Sequence, residues 1–258
     1  MSGLISNVTI TGNAGDIFIS EYCTCIESLN LRFRKITASD AVPLLDLFNE
    51  TVNYQAYGKT APRTLDDISK IMDRDIVRSF YTGYVIESIA TGEILGRGAI
   101  GAGYSPRDDL DVLEAYVAAS VDEEDGEGPS ELQIGDLLSL EPTKLLPTGL
   151  SREILYKEMI LTLILATKTF SEFGERLNGQ IVNRLTISLI DPLISDLTGV
   201  ALDDLVMRKK IIDSIFGEPL GVLLPKSIDP RNFSEHPRLV YGCDINALES
   251  LLSKHNYA

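Results

Sequence analysis

Residues 134–153 read Ile-Gly-Asp-Leu-Leu-Ser-Leu-Glu-Pro, then Thr143 to Pro147, then Thr148-Gly149-Leu150-Ser151-Arg152-Glu153. The order is a strand, a short loop, a run of small residues and the start of a long helix. A helix N-terminus presents N–H groups and the positive end of the macrodipole, so it can hold a pyrophosphate without a charged side chain. Small residues at 148, 149 and 151 let phosphate oxygens reach the backbone. The same stretch also suits an ordinary strand-to-helix connection capped by Thr148 or Ser151.

A second stretch invites a different chemistry. Gly96, Gly98 and Gly101 in "GRGAIGAG" stand where a dinucleotide fingerprint has its glycines. That fingerprint works only between a strand and a helix whose N-terminus meets the pyrophosphate. Here Gly103 to Asp109 follow, a turn run containing Pro106, and "YTGYVIESIATGEILGRGAIGAG" reads as a hairpin turning at Ala90 to Glu93. The glycines then lie inside a strand, and no NAD, NADP or FAD binding is expected.

Other chemistries find few donors. Cys23, Cys25 and Cys243 are too few for a disulfide framework, and Cys23-Thr24-Cys25 alone lacks the three or four ligands of a zinc site. His236 and His255 form no metal-binding spacing, so no metal is expected. The net charge of −15, from 38 acidic and 23 basic residues, works against nucleic acid. The one dense basic cluster, Arg208-Lys209-Lys210, falls in a predicted helix and reads as a solvated face. The acidic run from Asp122 to Glu127 reads as a solvated loop. The sequence shows no signal-peptide pattern, and its most apolar run, Met159 to Ala166, is about half of a bilayer span. A soluble, cytoplasmic protein without a membrane partner is expected.

The elements that must position residues 134–153 follow from periodicity. Residues 1–30 alternate weakly and suggest one or two strands or an extended arm. "LRFRKI" (31–36) is a strand. Ser39 or Asp40 caps a helix with the stripe Ala41, Leu44, Leu45 and Phe48. "NYQAYGKTAPR" is a loop, and Thr64 with Asp67 opens a second helix. The hairpin 82–103, a strand-like core at Ala115 to Val121 and the strand "LQIGDLLSLEP" come next. A long helix from 148, the strand "RLTISLI", a helix closing on Gly217, the strand "LGVLLP" and a further strand "RLVYGC" precede a terminal helix. With no repeat and no linker but the acidic loop, the fold class is α/β: a mixed central sheet flanked by helices.

The layout resembles the GNAT superfamily of acetyl-CoA-dependent N-acyltransferases. "LRFRKITASDAVPLLDLFNE" looks like that family's first strand and helix, and "YVIESIATGEILGRGAIG" like the hairpin that follows. "IGDLLSLEPTKLLPTGLSREIL" is similar to its fourth strand, pyrophosphate loop and third helix. "RLTISLI" with "DDLVMRKKIIDSIFGEPLGVLL" is similar to its fifth strand, fourth helix and next strand. The resemblance spans 31–226, with 1–30 as an N-terminal arm and 227–258 as a C-terminal extension. A fainter likeness is to the arginine succinyltransferase branch, in "VIESIATGEILGRGAI".

The resemblance implies an acyl-CoA, acetyl-CoA above all, bound by the backbone at Leu138, Ser139 and Leu140. It implies a pyrophosphate held by Thr148, Gly149, Leu150, Ser151 and Arg152. It also implies direct attack of an amine on the thioester, with a backbone N–H holding the oxyanion. Asp136 and Glu141 are the candidate bases, facing opposite ways if the strand is regular. Tyr156 reads as packing. Asn53, Tyr54, Tyr57 and Lys59 would meet the acceptor, a small amine or a basic protein that an acidic surface favours. A homodimer is a further expectation.

Two departures stand out. The family's Gln/Arg-x-x-Gly-x-Gly/Ala loop is here Leu146-Pro147-Thr148-Gly149-Leu150-Ser151, without the leading polar residue and one glycine. The family's tyrosine acid falls at Asp213, with no tyrosine nearby in sequence. These departures also suit a non-catalytic module of the same fold that binds acyl-CoA or a protein partner. A structural protein assembled through its terminal segments is a third alternative.

Overall fold

The computed structural model describes residues 5–11, 21–26, 29–56, 62–77, 81–102, 131–139, 146–173, 184–193, 198–223 and 237–257. The strand-like core at 115–121, the acidic run 122–127 and His236 lie outside them. Among the described residues nine strands form one sheet: β1 (Ile5–Thr11), β2 (Glu21–Ile26), β3 (Leu31–Lys35), β4 (Tyr81–Ser88), β5 (Ile94–Ala102), β6 (Glu131–Ser139), β7 (Arg184–Ile190), β8 (Gly221–Leu223) and β9 (Arg238–Asp244). The spatial order is β1-β2-β3-β4-β5-β6-β7-β9-β8. Neighbours are antiparallel except β6 and β7, which run parallel. The described α-helices beside the sheet are α1 (Ala41–Asn49), α2 (Thr51–Ala56), α3 (Leu65–Val77), α4 (Arg152–Phe173), α5 (Gly199–Phe216) and α6 (Leu248–Lys254).

The two terminal segments join this sheet. β1 and β2 extend it beyond β3. Residues 238–244, expected in the C-terminal extension, form β9, which is hydrogen-bonded between β7 and β8. The glycines of "GRGAIGAG" lie within β5, paired with β4 on one side and β6 on the other. Their place is therefore a sheet interior rather than a strand-to-helix turn.

Local chemistry explains the helix starts. Thr64 and Asp67 form the expected reciprocal cap: Thr64 N–H donates to the Asp67 carboxylate at 2.8 Å, and Asp67 N–H donates to Thr64 Oγ1 at 3.3 Å. Before α1, Asp40 accepts from Thr37 N–H at 2.8 Å and from both terminal nitrogens of Arg34, at 2.8 and 2.9 Å. Residues 53–56, expected as the start of a loop, are helical in α2. Val52 and Asn53 are buried there, so tertiary burial overrides the weak helix propensity of "NYQ".

α4 is apolar on most sides. Leu155, Met159, Ile160, Leu163 and Ile164 are all buried in the core, each worth roughly 2 kcal/mol when fully buried. Thr162 and Thr167 bury their hydroxyls by donating to the carbonyls of Glu158 and Leu163, at 2.7 and 2.9 Å. Burial pushes the Glu158 carboxyl up to about 7, against the pull of Lys157. No helix of the described residues is long and apolar enough to cross a membrane.

Candidate functional site

The parallel seam between β6 and β7 is paired only from Glu131↔Arg184 to Ile134↔Ile187. β6 continues to Ser139 and β7 to Ile190, so the described ladder ends where both strands run on. On its other side β6 stays paired with β5, at Gly135↔Ala99, Leu138↔Arg97 and Ser139↔Gly96. Between the first two pairs β6 advances three residues while β5 advances two. This is a bulge at Asp136 and Leu137. Alternate backbone N–H and C=O groups of 135–139 therefore face the open side of the seam. The bulge also removes the regular alternation on which opposite facing of Asp136 and Glu141 depends. Leu138 and Ser139 lie on the open half, whereas Leu140 and Glu141 lie outside the described residues.

The connection into α4 forms a tight turn at the same end of the sheet. Leu150 N–H donates to Pro147 O at 3.0 Å, and Gly149 has φ +87°. That left-handed conformation is strained for any residue with a side chain, which accounts for glycine here. Ser151, rather than Thr148, caps the helix: its hydroxyl accepts from Ile154 N–H at 3.2 Å. Thr148, Gly149 and Ser151 are exposed. Together with Leu29 and Asn30 of the turn before β3, Pro147, Thr148 and Gly149 line a cleft of about 290 Å³. Leu146 instead packs against the core.

Arg152 differs from the expectation that it serves an anion through its side chain. The guanidinium turns inward and lies 2.7 Å from the Asp204 carboxylate of α5. Burial of both partners favours this pairing over an exposed anion contact. The backbone N–H of Arg152 remains part of the first helical turn. Glu153 follows, exposed, in the same turn.

Asp204 also holds Arg208, whose Nε lies against its other carboxylate oxygen. Arg208 in turn donates to Asn53 Oδ1 of α2 at 3.1 Å and stacks 4.9 Å above the Tyr156 ring of α4. The basic cluster 208–210 is thus not a uniformly solvated face: Arg208 is 2% exposed, because an acid one turn earlier and an amide across the fold both bind it. Asn53 donates to Leu47 O at 2.7 Å, so its side chain is engaged inside the fold rather than presented to an acceptor. Tyr57 and Lys59 lie outside the described residues. Tyr156 is packing, as expected: burial pushes its phenol up to about 12 although Arg208 pulls it down.

The fold brings a tyrosine to Asp213 that sequence separation hides. Tyr241 of β9 donates its hydroxyl to Asp213 at 2.7 Å, and Lys209 pairs with the same carboxylate at 2.8 Å. Tyr241 sits opposite Ile187, on the rung where the β6–β7 ladder ends. Burial, and then the hydrogen bond to Asp213, raise its pKa, so the phenol is protonated at neutral pH. Among the described residues no group of three or more His, Cys, Asp or Glu side chains could hold a metal.

Solved structures share the overall fold. A probable GNAT-family acetyltransferase from Chromobacterium violaceum matches with a TM-score of 0.54 at 12% identity, over 96% of each chain. The fold is that of the GNAT acetyltransferases. A GCN5-related N-acetyltransferase from Brucella melitensis matches over 97% of this chain and 85% of its own, with a TM-score of 0.50 and 11% identity. The aminoglycoside acetyltransferase AAC(6')-Ib, solved with coenzyme A, matches with a TM-score of 0.50 at 15% identity, over 85% of this chain and 98% of that one. No family model and no curated protein matches the sequence itself. The GNAT likeness is thus one of architecture, and the arginine succinyltransferase likeness stays a reading of the sequence.

Proposed function

We propose that this chain is an acyl-CoA-dependent N-acyltransferase that moves an acetyl group to an amine. One observation carries the reading: a bulged strand beside an open parallel seam leads to an exposed glycine turn at the N-terminus of a long helix. In this reading the open backbone of Leu138 and Ser139 pairs with the pantetheine arm, and the resemblance adds Leu140 to that contact. The N–H groups of residues 148–152 and the α4 macrodipole hold the pyrophosphate.

The amine nitrogen attacks the thioester carbon, a backbone N–H on β6 holds the oxyanion, and the carbon–sulfur bond breaks. Asp136 or Glu141 takes the ammonium proton. Tyr241, protonated and one strand across β7 from the seam, is the candidate donor to the departing thiolate once its hydroxyl leaves Asp213. In this reading its hydrogen bond to Asp213 stands in for the tyrosine that the sequence lacks at that position. The net charge of −15 supports a cationic acceptor, a polyamine, an aminoglycoside-like amine or a basic peptide.

Calorimetric titration with acetyl-CoA and succinyl-CoA tests the binding, and thiol release with an amine panel tests the transfer. Saturable binding with amine-dependent thiol release is expected, highest with basic amines. Absence of acyl-CoA binding by the folded chain would overturn the proposal. The core-packed Leu146 and the engagement of Asp213 with Lys209 favour a second reading, a non-catalytic acyl-CoA binder. Binding without thiol release, for any amine tried, would select it.

A further inference from the structure

We infer that Asp204 is a positioning residue of the acyl-CoA site, acting through Arg152 on the first turn of α4. This rests on the acyl-CoA reading above and adds a residue that the pyrophosphate loop does not contain. Arg152 is the first residue of α4, directly after the Ser151 cap. Its guanidinium is tethered 2.7 Å from Asp204, whose side chain is 1% exposed. Asp204 is itself fixed by Arg208, and Arg208 is fixed by Asn53 of α2 and by the Tyr156 ring one turn further along α4. The helix start is therefore clamped from α5 by a buried carboxylate rather than left to the exposed turn before it.

Backbone N–H groups bind an anion well only when they already point at it, because ordering them on binding costs affinity. With Gly149 in an exposed turn, this clamp joins the Ser151 cap and the buried Leu150 and Leu155 in fixing where residues 151–153 sit. A purely structural ion pair would affect folding and nothing more. A positioning role affects ligands with phosphate and spares those without.

The test compares acetyl-CoA with S-acetylpantetheine, which has no phosphate, on wild type, Asp204→Asn, Arg152→Met and the double variant. Asp204→Asn should weaken acetyl-CoA about tenfold and leave S-acetylpantetheine unchanged. In the Arg152→Met background, Asp204→Asn should add little, since the tether is already gone. If Asp204→Asn does not fold, Arg152→Met alone should show the same selective loss. Unchanged or tighter acetyl-CoA binding in both single variants would overturn the inference, as would an equal loss for S-acetylpantetheine. If wild type binds acetyl-CoA and Gly149→Asp weakens it, only the clamp fails with such results. If wild type does not bind acetyl-CoA, the acyl-CoA reading and the clamp fall together.

Discussion

The two halves of the β6–β7 seam are built to opposite ends. In the paired half, Thr186 faces Gly242 of β9, and a Cβ on Gly242 would lie 2.5 Å from Leu185 O. No side chain fits there without moving backbone. Five residues further along β6 the ladder with β7 has ended, a bulge breaks the alternation, and the next connection is an exposed turn. The close approach of β9 backs β7 along the paired half, and beyond Ile134 and Ile187 the two strands of the seam are no longer paired. Rigidity and accessibility lie on the same pair of strands.

Substitutions separate the two halves. Gly242→Ala should have the largest effect, on the order of 3 kcal/mol or more of stability, because overpacking against backbone cannot relax cheaply. Urea unfolding checks it, and a loss under 1 kcal/mol would mean that the paired half is not tight. Gly149→Asp should keep the fold by circular dichroism, at about 1 kcal/mol of strain from the positive φ, yet weaken acetyl-CoA by about 2 kcal/mol through bulk and like charge. Unchanged affinity in a folded variant would move the anion site elsewhere.

The interior of α4 sharpens the contrast through pH. The Glu158 carboxyl is raised to about 7, so the folded chain holds that proton more tightly than the unfolded chain does. Its contribution is greatest below the ordinary carboxylate range and is lost as pH rises through about 7, on the order of 3 kcal/mol in all. Glu158→Gln should flatten the fall in melting temperature between pH 5 and pH 8. An identical slope in wild type and variant would show that the group does not titrate there. The smallest effect belongs to Glu153, exposed in the first turn of α4 beside the proposed anion. Glu153→Gln should tighten acetyl-CoA by about 0.5 kcal/mol at low salt, and by less at high salt. Weaker binding would contradict an anion at this helix end.

Much of this was legible in sequence where the signal is local. The hairpin of β4 and β5, the Thr64–Asp67 cap and the apolar run of α4 all follow from patterns a few residues long. So does the strand–turn–helix order at 134–153. What stayed hidden depends on distant partners. The helix at 51–56 forms because Val52 and Asn53 are buried, which "NYQ" does not announce. Arg208 looked solvated beside two lysines, although Asp204 four residues earlier was a readable clue to pairing. Asn53, which completes its environment, is 155 residues away. Tyr241 reaches Asp213 only because β9 enters between β7 and β8, and no spacing rule foretells that insertion. The bulge at Asp136 and Leu137 likewise depends on the register with β5.

That insertion has a bearing on how the protein is made. Among the described strands β8 is hydrogen-bonded to β9 alone, and β9 spans residues 238–244. A growing chain on the ribosome can therefore assemble β1 to β7 early, but it must hold β7 with an unfilled edge until residue 244 has emerged. During that interval the edge of a nearly complete sheet is available to other nascent chains. Slow translation between residues 190 and 244 would lengthen the exposure, and chaperone demand should rise with it.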